Sequence, residues 1–321
     1  MWHAFIAGIV FKHKNDADML RELNRNSQLR DLCGFKPKTE KRKDGTYKVF
    51  VAPPASAYSK FLKNLKTYCG EELKEVFENL VKYMYDNLQD FGEYLAIDGK
   101  AVQSYATNYS KETKEDGRRD TDANWGTKKY TTSVNSKGEV VTNKVTWFGY
   151  TVHLVVDAKY ELPVTFKVTP ASNSEQKEAK EILKVMHEEQ LERCKYFLAD
   201  KGYDDTKIIE YLKEKDIAAI IDIRNMWKDG EETKQYKDTD VVYTYDGNIY
   251  YIGEKGNKIK LRYLGYDKSS DSLRYGFKPQ YNDNRVFRIK CDTDKRIFVT
   301  VARDSKKWAR EYKKRTSVER V

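Results

Sequence analysis

The pattern of apolar and polar positions divides the chain into three stretches. Residues 1–90 read as helical. DADMLRELNRNSQLRDLCGF repeats apolar residues at helical spacing, and GFKP supplies a Gly and Pro stop. After a polar stretch, PPASAYSKFLKNLKTY and GEELKEVFENLVKYMYDNL carry the same period. The opening MWHAFIAGIVF is apolar but too short to span a bilayer, and it predicts a core helix.

After Gly92 the period changes. EYLAIDG is a short apolar run ending in an acid, and residues 103–144 are polar and charge-mixed, which predicts a long loop. VTWFGYTVHLVVDAKYELPVTFKVTP predicts two strands around a turn near Ala158–Glu161. SNSE at 172–175 has the form of a capping box opening a helix through about Gln190. CKYFLAD is a second short strand ending in an acid, TKIIEYLKEKD an amphipathic helix, and IAAIIDI a buried strand. From 224 to 300 the chain alternates apolar and polar residues between D-G and Gly-rich turns, the mark of antiparallel β structure. A basic helix from about Asp304 closes the sequence. Strands interleaved with helices predict an α/β fold with a mixed sheet, and chemistry in such sheets gathers at strand ends.

Composition narrows the class. Charged residues make up 34% of the chain and mean hydropathy is −0.83, which fits a soluble protein and no membrane partner. Aromatic residues at 13% exclude a disordered chain. The net charge of +10 is unevenly spread, with eight basic and three acidic side chains in residues 303–321. Concentrated basic charge favours a polyanion, nucleic acid first, although a solvated helix face fits that charge equally well. Cys33, Cys69, Cys194 and Cys291 form no C-x-x-C pair, so free thiols in a reducing cytoplasm are expected rather than a zinc site or disulfides. The four histidines form no H-x-x-x-H pair, His153 reads as a packed strand residue, and no Walker A or dinucleotide fingerprint is present.

Asp98 and Asp200 end the two short strands, in IDGK and ADKGYDD, where side chains 102 positions apart can converge. In the last helix Trp308, Tyr312, Arg315 and Glu319 recur at spacings of 4, 3 and 4 and share one face. Two unit charges ~4 Å apart repel by roughly 4 kcal/mol at an effective dielectric near 20. Three convergent carboxylates therefore need protons or divalent cations, and oxygen-only ligands suit Mg²⁺ or Mn²⁺. Two such ions about 3.5–4 Å apart can activate an attacking water or 3′-OH and stabilise the leaving oxygen of a phosphoryl displacement. Strand-terminal aspartates are also common as caps and turn formers.

Together these segments resemble the DDE transposases of bacterial insertion sequences, the group with a Y-(2)-R-(3)-E-(6)-K signature and an RNase H-like catalytic domain carrying a β-strand insertion. Tyr312, Arg315 and Glu319 match the first three signature positions at the right spacing, and the fourth would fall beyond Val321. YLAIDGK is similar to the strand of the family's first aspartate, YFLADKGYDD to that of its second, and FGYTVHLVVDAKYELPVTFKVTPASNSE to the segment between. LRDLCGF with AYSKFLKNL resembles the helical lead.

The resemblance implies Asp98, Asp200 and Glu319 as ligands of two Mg²⁺ or Mn²⁺ ions, with Tyr312 and Arg315 on the DNA backbone and Lys201 flanking the site beside Tyr203. It implies double-stranded DNA, transposon ends and target, as partner, a homodimer on that DNA, and a cytoplasmic, nucleoid-associated bacterial protein. Arg118, Arg119, Lys128 and Lys129 are candidate phosphate contacts, or ordinary surface charge. Trp227 is a candidate for stacking on flipped bases, or a packed residue. The expected domains are a helical DNA-end-binding region over 1–90, a catalytic domain from 91–223 and 301–321, and a β insertion over 224–300. The expected function is metal-dependent strand cleavage and strand transfer. The alternative is a C-terminally truncated, inactive remnant that only binds DNA or inhibits transposition.

Overall fold

A computed structural model of the chain describes residues 1–106, 120–134 and 140–321. The chain divides into two compact units, Met1–Tyr83 and Met84–Val321.

The first unit contains helices α1 (Trp2–Val10), α2 (Asp16–Arg25), α3 (Ser27–Leu32) and α4 (Ala55–Tyr68), and most of α5 (Gly70–Asn87). Asn15 and Asn26 cap α2 and α3 by accepting from the Asp18 and Leu29 amides. Met19, Leu20 and Leu23 of α2 form the core with Leu29, Cys33 and Tyr58. Two expectations change here. The opening helix forms, but Ala4 is its one buried residue and Ile9 and Val10 are exposed, so it is not a core helix. The polar stretch before α4 is a hairpin, β1 (Lys38–Lys41) with β2 (Tyr47–Phe50). Its strands are exposed on both faces, so no period of apolar residues announces them.

The second unit is built on a six-stranded sheet: β3 (Tyr94–Gln103), β4 (Asn124–Val134), β5 (Val140–Asp157), β6 (Leu162–Pro170), β7 (Tyr196–Ala199) and β8 (Ala218–Ile221). β5 runs antiparallel to β3, β4 and β6, whereas β3, β7 and β8 are mutually parallel. The order β6-β5-β3-β7-β8, with only its second strand in chain order reversed, is the RNase H-like mixed sheet. Helices α6 (Glu175–Val185), α7 (Glu188–Arg193) and α8 (Thr206–Glu214) make the crossovers into the parallel strands. The expected loop over 103–144 is corrected: Asn124–Val134 and Val140–Gly149 form a long antiparallel ladder. Its alternating residues are polar on both sides (Thr127, Lys128, Thr146), which hid the strand period. The SNSE box is not formed either. Ser174 precedes α6 without a side-chain cap, Ser172 is tied to Asn124 instead, and the helix stops at Val185.

The alternating residues of 224–300 form two antiparallel sheets. β9 (Lys234–Gln235), β10 (Val241–Tyr243), β11 (Ile249–Ile252) and β12 (Lys258–Lys260) make one; β13 (Arg262–Asp267), β14 (Ser272–Gly276) and β15 (Val286–Lys290) make the other. Ile249, Leu261, Leu273, Tyr275, Ile289 and Phe298 bury the core they share. The chain ends in α9 (Lys306–Tyr312), a tighter 3₁₀ turn over Lys313–Thr316, and α10 (Ser317–Arg320).

Candidate active site

Strand register makes the site. β3 pairs β7 with Tyr94 opposite Tyr196 and Ala96 opposite Leu198. Continuing that register by two residues sets Asp98 level with Asp200, on the face shared with Ala96 and Leu198. The same argument on β7 and β8, where Ala199 faces Ile221, sets Asp222 level with Asp200. Asp200 and Asp222 directly follow β7 and β8, but Asp98 lies within β3, which runs on to Gln103 along β5, so the expectation that Asp98 ends a short strand is corrected. The three acids are nonetheless level on adjacent parallel strands, and Asp222 was not among the expected site residues. The signal was in the sequence, since the apolar run IAAII is followed directly by Asp222, as YLAI is by Asp98 and YFLA by Asp200.

Beneath these acids, Ala96, Val156, Leu198 and Ile220 form an apolar floor on which Val301, Val318, Trp308 and Tyr312 pack. This packing fixes the closing segment over the strand ends. Trp308 and Tyr312 stack with ring centres 4.6 Å apart and planes at 12°. The Arg315 guanidinium lies 5.9 Å from the Tyr312 ring and 2.9 Å from Glu319, with 3.7 Å to Asp98. The predicted one-sided arrangement of these four residues holds although 3₁₀ geometry interrupts the helix. Glu319 therefore meets Asp98 through Arg315.

Burial pushes the Asp98 carboxyl above the ordinary range, and Asp200 adds to the shift. The Gly99 amide, donating to Asp98 at 2.7 Å, opposes it together with Lys128 and Arg315. Asp200 caps a 3₁₀ turn by accepting from the Gly202 amide at 2.7 Å. That turn is clamped from behind. The buried Asp204 accepts from the Arg224 amide at 2.9 Å and from Arg296 Nη2 at 2.6 Å, while the Arg224 side chain donates to the Lys201 and Gly202 carbonyls.

The remaining expected residues separate. Lys128 enters the site, donating to the Gly99 carbonyl at 2.9 Å and standing 3.0 Å from Glu175. Lys201 is exposed on the Asp200 turn. Trp227 is half-buried and packs edge-on against Tyr243 and Tyr245, with Lys234 4.8 Å from its ring centre. Arg118 and Arg119 lie outside the described residues, as does the Lys129 side chain. His153 is fully buried and bonded to Thr169.

The donor set around Asp98 and Asp200 is all oxygen, which fits Mg²⁺ or Mn²⁺ in kind. A buried Tyr203 hydroxyl without a hydrogen-bond partner, raised by burial and then by Glu175, Asp98 and Asp200, points into the same space. Among the described residues no three acids, histidines or cysteines stand as a finished metal cluster; Lys128 and Arg315 lie between the carboxylates.

The sheet order, with these acids level on its adjacent parallel strands, defines an RNase H-like domain. The family model described as Transposase DDE domain matches residues 94–321, and the chain belongs to that family. A search of curated proteins finds no match. A solved structure it resembles is a piggyBac transposase synaptic complex with hairpin DNA, at 9% identity and a TM-score of 0.33, covering 84% of this chain and 47% of that one. The chain thus spans about half the length of that protein.

Proposed function

We propose that this chain is a DNA transposase that cleaves strands at insertion-sequence ends and transfers them to target DNA, using Asp98, Asp200 and Glu319 to hold divalent ions. The observation that carries this reading is the register match of Asp98 with Asp200 on adjacent parallel strands, with Arg315 and Glu319 brought beside them. Bound Mg²⁺ or Mn²⁺ would supply Lewis-acid activation of the attacking oxygen and charge for the leaving one. The chain's own contribution is position. The Gly99 and Gly202 amides orient the two aspartates, and the floor under Tyr312 holds the closing segment against them. Arg315 keeps Asp98 and Glu319 together and presents positive charge where a phosphate would lie. Lys201 extends that charge outward, and Trp227, with Lys234 over its ring, offers an edge for stacking. A homodimer on paired ends, with residues 1–90 recognising them, completes the proposal.

Mn²⁺-dependent nicking of the element's terminal repeats tests it. Asp98→Asn and Asp200→Asn should each lower the rate by about 10³-fold or more, in line with losing a group that holds the catalytic charge. Equal nicking by wild type and both variants would defeat the assignment. DNA binding with no metal-dependent cleavage by wild type would favour the binding-only alternative.

A further inference from the structure

Glu175 is a further carboxylate at this site, besides Asp98, Asp200, Asp222 and Glu319. It is the first residue of α6, which starts beside the sheet as the chain leaves β6. A methyl group on Gly202 would stand 2.3 Å from Glu175 Oε2 and 2.7 Å from Asp200 Oδ1, so these two carboxylates meet across that glycine. A methyl on Gly99 would stand 3.2 Å from Glu175 Oε1 and 3.5 Å from the Tyr203 hydroxyl. Glu175 therefore lies over the glycines that follow both aspartates, one oxygen toward each.

Two further features show that the carboxylate is more than surface charge. Tyr203 is fully buried, and its hydroxyl, without a hydrogen-bond partner, is directed among Glu175, Asp98 and Asp200. Lys128, 29% exposed, joins Glu175 to the Gly99 carbonyl and so brings a cation to this group of acids. Three carboxylates bear on one buried hydroxyl, and Lys128 and Arg315 together offset two of the three charges, which leaves room for a shared cation.

We infer that Glu175 is a further ligand of the divalent-cation site beside Asp200, with the Lys128 ammonium competing with the cation for it. This rests on the reading of Asp98 and Asp200 as metal ligands. The absence of a side chain at 202 then follows, because a methyl there would push the Glu175 and Asp200 carboxylates aside.

Isothermal titration of the full chain with MnCl₂ tests the inference without relying on activity, and thermal melts in EDTA confirm folding. Glu175→Gln should weaken Mn²⁺ binding by about tenfold or more, the scale of losing one partner of a metal site. Lys128→Gln removes the ion pair but keeps the carboxylate, and should leave binding unchanged or tighter. If Glu175→Gln binds as wild type while Asp98→Asn is weakened, the inference falls and the parent reading stands. Equal weakening by the Glu175 and Lys128 variants would also overturn it, because the ion pair alone would then be at work. If wild type and Asp98→Asn take up Mn²⁺ alike, both readings fail. Should Glu175→Gln melt early in EDTA, Glu175→Asp keeps the charge but draws the carboxylate back from the site without touching Asp200. Weakened Mn²⁺ binding by that variant upholds the inference, and unchanged binding overturns it.

Discussion

Asp304 shows how far the burial of one carboxyl departs from its sequence context. It sits in a charged stretch, yet burial raises it to about 6, with Lys260 opposing the shift and the Tyr275 hydroxyl 3.3 Å away. A carboxyl whose folded value lies above its unfolded one favours the protonated native state. Its contribution to stability is greatest below the ordinary aspartate value of 3.8 and is lost as pH rises through about 6. Asp304→Asn should therefore melt higher than wild type near pH 7.5, by up to about 3 kcal/mol. The difference should vanish near pH 4. Calorimetric melts at the two pH values measure this, and a variant no more stable at pH 7.5 would contradict it. At the same scale, the sequence offered Asp98, Asp200 and Glu319 as candidates because an acid closing an apolar run and a spaced signature are local patterns. Glu175 was visible only as part of a capping motif, and Asp222 only as the end of an apolar run. Their neighbours lie far away in sequence: strand register brings Asp222 level with Asp200, and the start of α6 brings Glu175 against Gly99 and Gly202.

Among the elements, the turn between β5 and β6 depends on one buried acid. Asp157 is fully buried and accepts from the Gly92, Lys159 and Tyr160 amides at 2.7–2.9 Å. It joins the end of the central hairpin to the entry of β3. Asp157→Ala would leave three amides without their acceptor and should cost about 3 kcal/mol or more. A lowered urea midpoint with little change in slope would show this, and Asp157→Asn should recover part of the loss. The elements themselves were legible where one face is buried. β7, β8 and α8 follow their apolar runs closely, whereas β3 continues past its apolar run to Gln103. β1 and β2, exposed on both faces, and the β4–β5 ladder, rich in Thr and Lys, carry no such contrast. The closing helix was legible as a face but not as a break, because the 3₁₀ turn at Lys313–Thr316 preserves the contacts that the spacing predicts.

For the molecule as a whole, the +10 charge governs how it meets a polyanion. If the proposed partner is DNA, its affinity should fall at least tenfold between 50 and 200 mM salt, with a linear log–log slope. Fluorescence anisotropy with a labelled duplex measures this, and an affinity indifferent to salt would remove DNA as the partner. The family domain covers 94–321, and no helix among the described residues is long and apolar enough to cross a membrane.

The clamp behind Asp200 has a consequence for how this domain can vary. Asp204 is gripped by Arg224 and Arg296, the second of which lies 92 positions downstream. The segment holding the two small sheets is therefore not a detachable ornament. Sequence drift within it is transmitted to the backbone of Asp200. An element that lengthens or rebuilds this segment must keep both arginines at their posts or give up the alignment of its second aspartate.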